Sequence, residues 1–425
     1  MTSASSELHQ PETALDILRL PLLGRVLRWR WGRLAFQLLL LAVAGLIVYD
    51  GLTGPQLAST NSATILAWVH YRGLVLLALL LLGNLFCFAC PFTLPRTLAR
   101  KLSIAGWRWP APLRNKWLSI AGLFLIFFLY EWLDLWASPW LTAWVAVAYF
   151  IGSFALEAIF SESAFCKYVC PLGAFNFVYS MASPFQITAR DRQVCHECEG
   201  KECVNGSTEV AGCGTELFVP QITSNLNCTF CLDCARACPY DNVALSSRKP
   251  WQEMLQPLRA RWDLAFLIIA LSFMGFFNAF GMVPPVYELQ QWLSDTLGFQ
   301  GQEAALLLIL LVGMIGLPAV VLFGGGYISR TLTPADKRKR SRDYAARFAP
   351  AFVPMGIGIW LAHYGFHFVI GALTIIPVLQ NFLLDHGLAW LGQQPRWDVG
   401  YLIPTEWIFP LQVAAVALGF GLSLT

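Results

Sequence analysis

The sequence predicts an all-α polytopic membrane fold of about eight transmembrane helices, with both termini cytoplasmic and one cysteine-rich α+β insert facing water. Three observations lead there. Only 13% of the 425 residues are charged while 56% are apolar, including 30 Phe and 17 Trp; an ordinary soluble domain carries roughly 25% charge. So few charges cannot cover so much apolar surface in water, which excludes a soluble globular enzyme and a disordered chain. Eight stretches approach the roughly 20 apolar residues that cross a bilayer. Finally, ten of the twelve cysteines fall within residues 161–261. A net charge of +3 gives no reason to expect a nucleic-acid partner.

Residues 1–32 come first. They lack an apolar core followed by a small-residue cleavage site, so no cleavable signal peptide is expected. Residues 12–31 mix leucines with Arg19, Arg25, Arg28 and Arg30, the pattern of an amphipathic helix lying on the membrane surface. Spans are expected near 33–50, 63–86, 117–137 and 140–160, so that 33–184 forms a first membrane unit. Residues 185–250 form the insert. Residues 251–425 then hold spans near 262–282, 303–323, 350–380 and 406–425. Pro354 and Pro377 predict a tilt or kink in the seventh. Gly324-Gly325-Gly326 reads as the terminator of the sixth. With eight alternating spans, 27 of the 29 basic residues fall on one side, which marks that side as cytoplasmic. The run Lys337-Arg338-Lys339-Arg340 belongs to this topology signal and not to a nucleic-acid site.

Within the insert stands Cys228-x2-Cys231-x2-Cys234-x3-Cys238-Pro239, the bacterial ferredoxin run. Three thiolates on a tight loop can wrap one face of a cubane, and the fourth leaves on a helical turn toward a second cluster. Cys195, Cys198, Cys203 and Cys213 supply the complementary set. By the crossed rule, Cys195, Cys198, Cys203 and Cys238 hold one [4Fe–4S] cluster. Cys213, Cys228, Cys231 and Cys234 hold the other. Zinc is the competing occupant, because four thiolates also hold it. A disulfide framework does not suit a cytoplasmic segment.

The remaining cysteines close two helix hairpins in a repeated manner: Phe86-Cys87-x2-Cys90-Pro91 and Phe165-Cys166-x3-Cys170-Pro171. If the hairpins pack together, these four thiols converge. Three readings stay open: a third cluster or another metal, a pair of redox dithiols, or small buried cysteines at helix ends. Cys-Pro motifs at helix ends followed by a two-cluster ferredoxin segment resemble the membrane polyferredoxin family. Its members include NapH-type quinol dehydrogenase subunits, the membrane half of NosR-type accessory proteins and CcoG/RdxA-type oxidase accessory proteins. The resemblance covers roughly residues 63–250. It implies electron transfer between the quinone pool and a redox partner in a bacterial inner membrane, with the clusters on the cytoplasmic side. The first Cys-Pro pair departs by one residue in its spacing, and further spans follow the insert.

Ionisable residues inside spans are functional candidates. His70 lies in the second span; His363 and His367 lie four apart on one face of the seventh. They could ligate a b-type haem, bind a quinone, or bond between helices. Arg72 needs a partner, and Glu131 and Asp134 are the candidates; Glu157 sits near the inner end of the fourth span. No Gly-x-Gly-x-x-Gly follows a strand, no phosphate-binding loop is present and no Cys-x2-Cys-His occurs. The expected role is one-electron transfer linking quinone with a respiratory partner. Competing roles are a metal-centre assembly or reactivation factor, which reduces a metal ion, and a redox-sensing regulator.

Overall fold

The computed structural model describes residues 14–29, 31–95, 99, 106–160 and 163–425. Arg30, Arg96, Arg100 and Lys101, counted above among the basic residues of one side, lie outside these, as do residues 1–13. Among the described residues, seven helices are long and apolar enough to cross a membrane, which fits a multi-pass membrane protein. They are α1 (Gly32–Thr53), α2 (Ser62–Leu81), α4 (Pro139–Ile159), α5 (Trp262–Phe280), α6 (Gln302–Leu332), α7 (Ser341–Asp385) and α8 (Thr405–Ser423).

The span expected at 117–137 is the 16-residue helix α3 (Trp117–Trp132). It rises about 24 Å, short of the roughly 30 Å of a hydrocarbon core. It nevertheless carries the chain from one end of the bundle to the other. At its start Lys116 Nζ donates to Lys167 O, beside the second Cys-Pro motif (2.6 Å). Beyond its end, Trp140 N donates to Gln56 Oε1 in the opposite turn between α1 and α2 (3.2 Å). Residues 133–138 make up the missing length as a turn, with Asp134 in the left-handed region (φ 46°).

Helix α5 is the hub. Its residues Leu264 to Leu271 are buried without a break and pack with parts of α2, α3, α6 and α7 into one apolar core. A helix apolar all round belongs inside a bundle. α8, by contrast, exposes Phe409, Leu418 and Phe420, a face for lipid. Three expectations need correction. The triple glycine does not end α6, which runs on to Leu332. A Cβ on Gly326 would lie 2.9 Å from Ser341 O, so these glycines let α6 and the start of α7 approach closely. The seventh span is a 45-residue helical run whose pattern shifts at Ala349–Ala351, Leu361–Gly365 and Ala372–Thr374. The amphipathic segment, where described, is not one surface helix. A short turn, Ile17–Arg19, and a six-residue helix, Leu23–Arg28, replace it.

That segment docks on the water-facing insert. Strands β1 (Phe185–Ala189) and β2 (Val243–Ser247) pair antiparallel, Ile187 opposite Leu245. The free edge of β2 leaves backbone groups to satisfy. Ser247 N donates to Leu15 O (2.8 Å), Asp16 bridges Ser246, and Leu18 is buried in the insert's core. Edge satisfaction therefore outweighs the amphipathic pattern here.

Candidate functional site

All twelve cysteines are free of disulfides. Among the described residues, no group of three or more His, Cys, Asp or Glu is drawn tightly enough to hold a single metal ion. The cysteines instead stand around three cavities. Cys195, Cys198, Cys203 and Cys238 line one of about 330 Å³, with Phe218 and Asn242. Cys213, Cys228, Cys231 and Cys234 line a second of about 300 Å³. Cys87, Cys90, Cys166 and Cys170 line a third of about 660 Å³, which Cys231 also borders. The second and third cavities share Cys231, Thr215 and Thr229 as a common wall.

Local structure explains the grouping. The loop Cys228–Cys234 places Asn227, Phe230 and Leu232 at positive φ (69°, 53° and 59°). Such conformations cost non-glycine residues energy and gather at ligand clamps. The helix Asp233–Ala237 then carries Cys234 toward the second cavity, and Cys238, at its C-terminal cap, lines the first. The two Cys-Pro motifs repeat in backbone as well as sequence. Cys90 sits at φ −60°, ψ 119° and Cys170 at φ −63°, ψ 116°. The following proline forces this extended geometry and starts a helical turn. Both α2 and α4 deliver their motifs to the same cavity, so these two helix ends lie together.

Several N–H groups aim at sulfur. Asn242 Nδ2 donates to Cys195 Sγ (3.2 Å) and Asn242 N to Cys238 Sγ (3.4 Å). Leu217 N donates to Cys213 Sγ (3.4 Å). Gly173 N donates to Cys170 Sγ (3.2 Å) and Asn176 Nδ2 to Cys87 Sγ (3.4 Å). Such donors favour thiolates. Burial works the other way, pushing the Cys231 thiol up to about 11 and holding Cys228 and Cys234 far above the usual range. Four thiolates gathered around one cavity repel each other, so a cationic group would favour their joint ionisation.

Two charged side chains brace the second and third cavities, and neither stood out in the sequence. Arg33, at the base of α1, donates to Phe88 O (3.0 Å) and pairs with Asp233 (3.1 Å). Asp233 also pairs with Arg236, whose guanidinium donates to Cys231 O (2.7 Å). Asn84, just beyond α2, donates to Cys228 O (3.0 Å), tying the insert to the bundle.

Inside the bundle the intramembrane residues separate. His70 is held by backbone: Nδ1 lies 3.0 Å from Ile65 O and Nε2 2.9 Å from Ala372 O. Neither nitrogen is open to a haem iron in this arrangement. His363 is buried beside His367, with ring centroids 5.0 Å apart, and its Nε2 has no hydrogen-bond partner among the described residues. Arg72 is not paired with Glu131 or Asp134. Its Nη1 donates to Tyr130 OH (2.9 Å), and its guanidinium lies 4.6, 4.2 and 4.7 Å from the ring centres of Trp68, Tyr130 and Tyr364. Glu131 accepts instead from Asn278 (2.8 Å). π-helical turns at Ile65–His70 and Leu361–Gly365 flank this box, and such turns recur at functional sites. The box opens on an aromatic pocket of about 560 Å³ that also touches Pro171, Leu172 and Phe175. Leu172 belongs equally to the wall of the third cysteine cavity.

No family model matches the chain, and no solved structure does. It is similar to "Putative electron transport protein YccM" of Escherichia coli K12, with 28% identity over 121 residues, 28% of this chain and 31% of that protein. It is also similar to an uncharacterized protein of Methanocaldococcus jannaschii, 29% identical over 90 residues, 21% of this chain and 33% of that one. The matched segments thus span about a third of each relative's length.

Proposed function

We propose that this chain is a membrane-bound iron–sulfur electron-transfer protein that links a quinone in the aromatic pocket to a redox partner at the cysteine end. One observation carries the reading: three neighbouring cavities, each walled by four of the twelve cysteines. The similarity to a protein named for electron transport supports it. The ferredoxin-type spacing of Cys228, Cys231, Cys234 and Cys238 favours cubane clusters as the occupants. Eight cysteines then serve two [4Fe–4S] clusters, and the four of the Cys-Pro motifs serve a third. When bound, such clusters supply reversible one-electron chemistry.

The chain's residues do the rest. The N–H donors at Cys195, Cys213, Cys238, Cys170 and Cys87 stabilise negative charge on sulfur and so raise reduction potential. Arg33 places a fixed cation in the wall of the third cavity and, through Asp233, beside the second. In the aromatic pocket, Arg72 uses one N–H on Tyr130 and has others to offer a quinone oxygen. Trp68, Tyr130 and Phe175 supply flat surfaces for the ring. Leu172 lines both this pocket and the third cavity.

The test is reduction of the anaerobically purified protein by a quinol analogue, followed optically. Arg72→Gln removes a charged donor worth about 1.5–3 kcal/mol, so quinol-driven reduction slows about tenfold to a hundredfold while iron content and dithionite-driven bleaching are unchanged. An Arg72→Gln protein that quinol reduces at the wild-type rate rules out this pocket.

A further inference from the structure

A further cleft holds none of these cysteines. It measures about 860 Å³ and lies where α3 and α5 begin, between the end of the bundle and the insert. Five cationic side chains line it: Arg114, Lys116, Lys167, Arg259 and Arg261; Glu216 is the acidic one. Lys167 pairs with Glu216 (2.8 Å) and Arg261 with Asp263 (2.6 Å). Glu216 and Asp263 thus engage two of the five cations. Lys116 is 3% exposed and has no ion pair among the described residues; its ammonium donates to Lys167 O (2.6 Å) and Asn227 Oδ1 (2.5 Å). It also lies 5.1 Å from the centre of the Phe177 ring. Arg259 is exposed, and no hydrogen bond or ion pair engages its side chain among the described residues. The start of α3 is already capped, Lys116 N donating to Asp263 Oδ2 (2.9 Å).

We propose that this cleft binds a phosphate-bearing ligand. A concave site with clustered cations and arginine forks suits a tetrahedral anion, because several N–H groups can reach separate oxygens. Its position gives the ligand two sources. The cleft lies at the level where two apolar helices begin with Trp117 and Trp262, so a lipid headgroup can enter from the side. It also opens toward water, so a soluble phosphate ester can enter from below. The wall residue Thr215 also borders the second and third cysteine cavities, and Phe218 borders the first. The cleft therefore shares a wall residue with each of the three.

The test uses the whole protein in phosphatidylcholine nanodiscs, titrated calorimetrically with inorganic pyrophosphate. Saturable binding is expected, weakened by salt and at least about tenfold weaker in Arg259→Glu, the loss expected of a charged contact. Arg259 is exposed and makes no described bond, so the change spares the fold; Arg261→Gln provides a second, milder variant. In parallel, native mass spectrometry counts phosphatidylglycerol retained from mixed nanodiscs. Pyrophosphate binding that phosphatidylglycerol does not displace identifies a soluble source. Retained lipid that Arg259→Glu releases and pyrophosphate displaces identifies a headgroup. Pyrophosphate heat and lipid retention that are both the same in wild type, Arg259→Glu and Arg261→Gln overturn the proposal.

Discussion

The cysteine end and the Arg72 box are built in opposite ways. At the cysteine end, most ligand candidates stand three to five positions apart on short loops, Cys213 excepted, and prolines follow Cys90, Cys170 and Cys238. In the box, Trp68, Arg72, Tyr130 and Tyr364 come from three helices, and only packing brings them together. The first kind of site is written locally in spacing. The second is a property of the assembled bundle. The contrast teaches that the cysteine cavities answer to single ligand changes, whereas the box answers to changes in helix contact.

Cys231→Ser tests the first half and carries the largest expected effect. Cys231 borders two cavities, so iron and sulfide content should fall by more than in Cys198→Ser, whose residue borders one. Equal losses in the two variants, measured per protein after anaerobic purification, would break the shared-wall arrangement. Gly73→Val tests the second half. A Cβ at Gly73 would lie 2.4 Å from Phe368 Cβ, so α2 and α7 must separate. Overpacking of this sort costs about 1–3 kcal/mol. Thermal stability in detergent should drop and quinol-driven reduction slow, while iron content stays at the wild-type value.

The smallest effect lies at the junction of the two regions. Burial lowers the Lys116 ammonium from its ordinary 10.5 to about 7. Between those values the unfolded chain keeps a proton that the folded chain has released. Stability therefore rises with pH from about 7 toward 10.5. Denaturation of wild type and Lys116→Met across that window should show the wild type gaining on the variant as pH rises. Parallel curves would mean that Lys116 keeps an ordinary affinity for its proton.

The same contrast explains what the amino-acid sequence disclosed. The Cys228–Cys238 run and its Cys195–Cys213 partner could be grouped on paper because each ligand's reach is set within a few bonds. The Cys-Pro repeat was visible too, since proline constrains the residue before it. The apolar stretches mark eight spans; seven are long helices among the described residues, and α3 falls short because a turn at 133–138 finishes its path. Arg72 was recognisable as a charge in need of a partner, but the partner is an aromatic ring set and not Glu131. Nothing in the spacing of Tyr130 and Tyr364 points across helices to it. Arg33 was read only as part of a charge count, and its contacts with Phe88 and Asp233 depend on how α1 meets the insert. The N-terminal segment misled because its leucine and arginine pattern suits a membrane surface, while the open edge of β2 offered it more.

The central claim is that three cavities of four cysteines each hold an iron–sulfur cluster. The most direct measurement is the iron and acid-labile sulfide content of anaerobically purified protein, read together with EPR of the reduced state. Three cubanes require about twelve irons and about twelve sulfides per chain, and the Cys87→Ser, Cys170→Ser double variant should lose about a third of both. A preparation with no acid-labile sulfide contradicts the account as a whole. About eight of each, unchanged in the double variant, contradicts the third cluster.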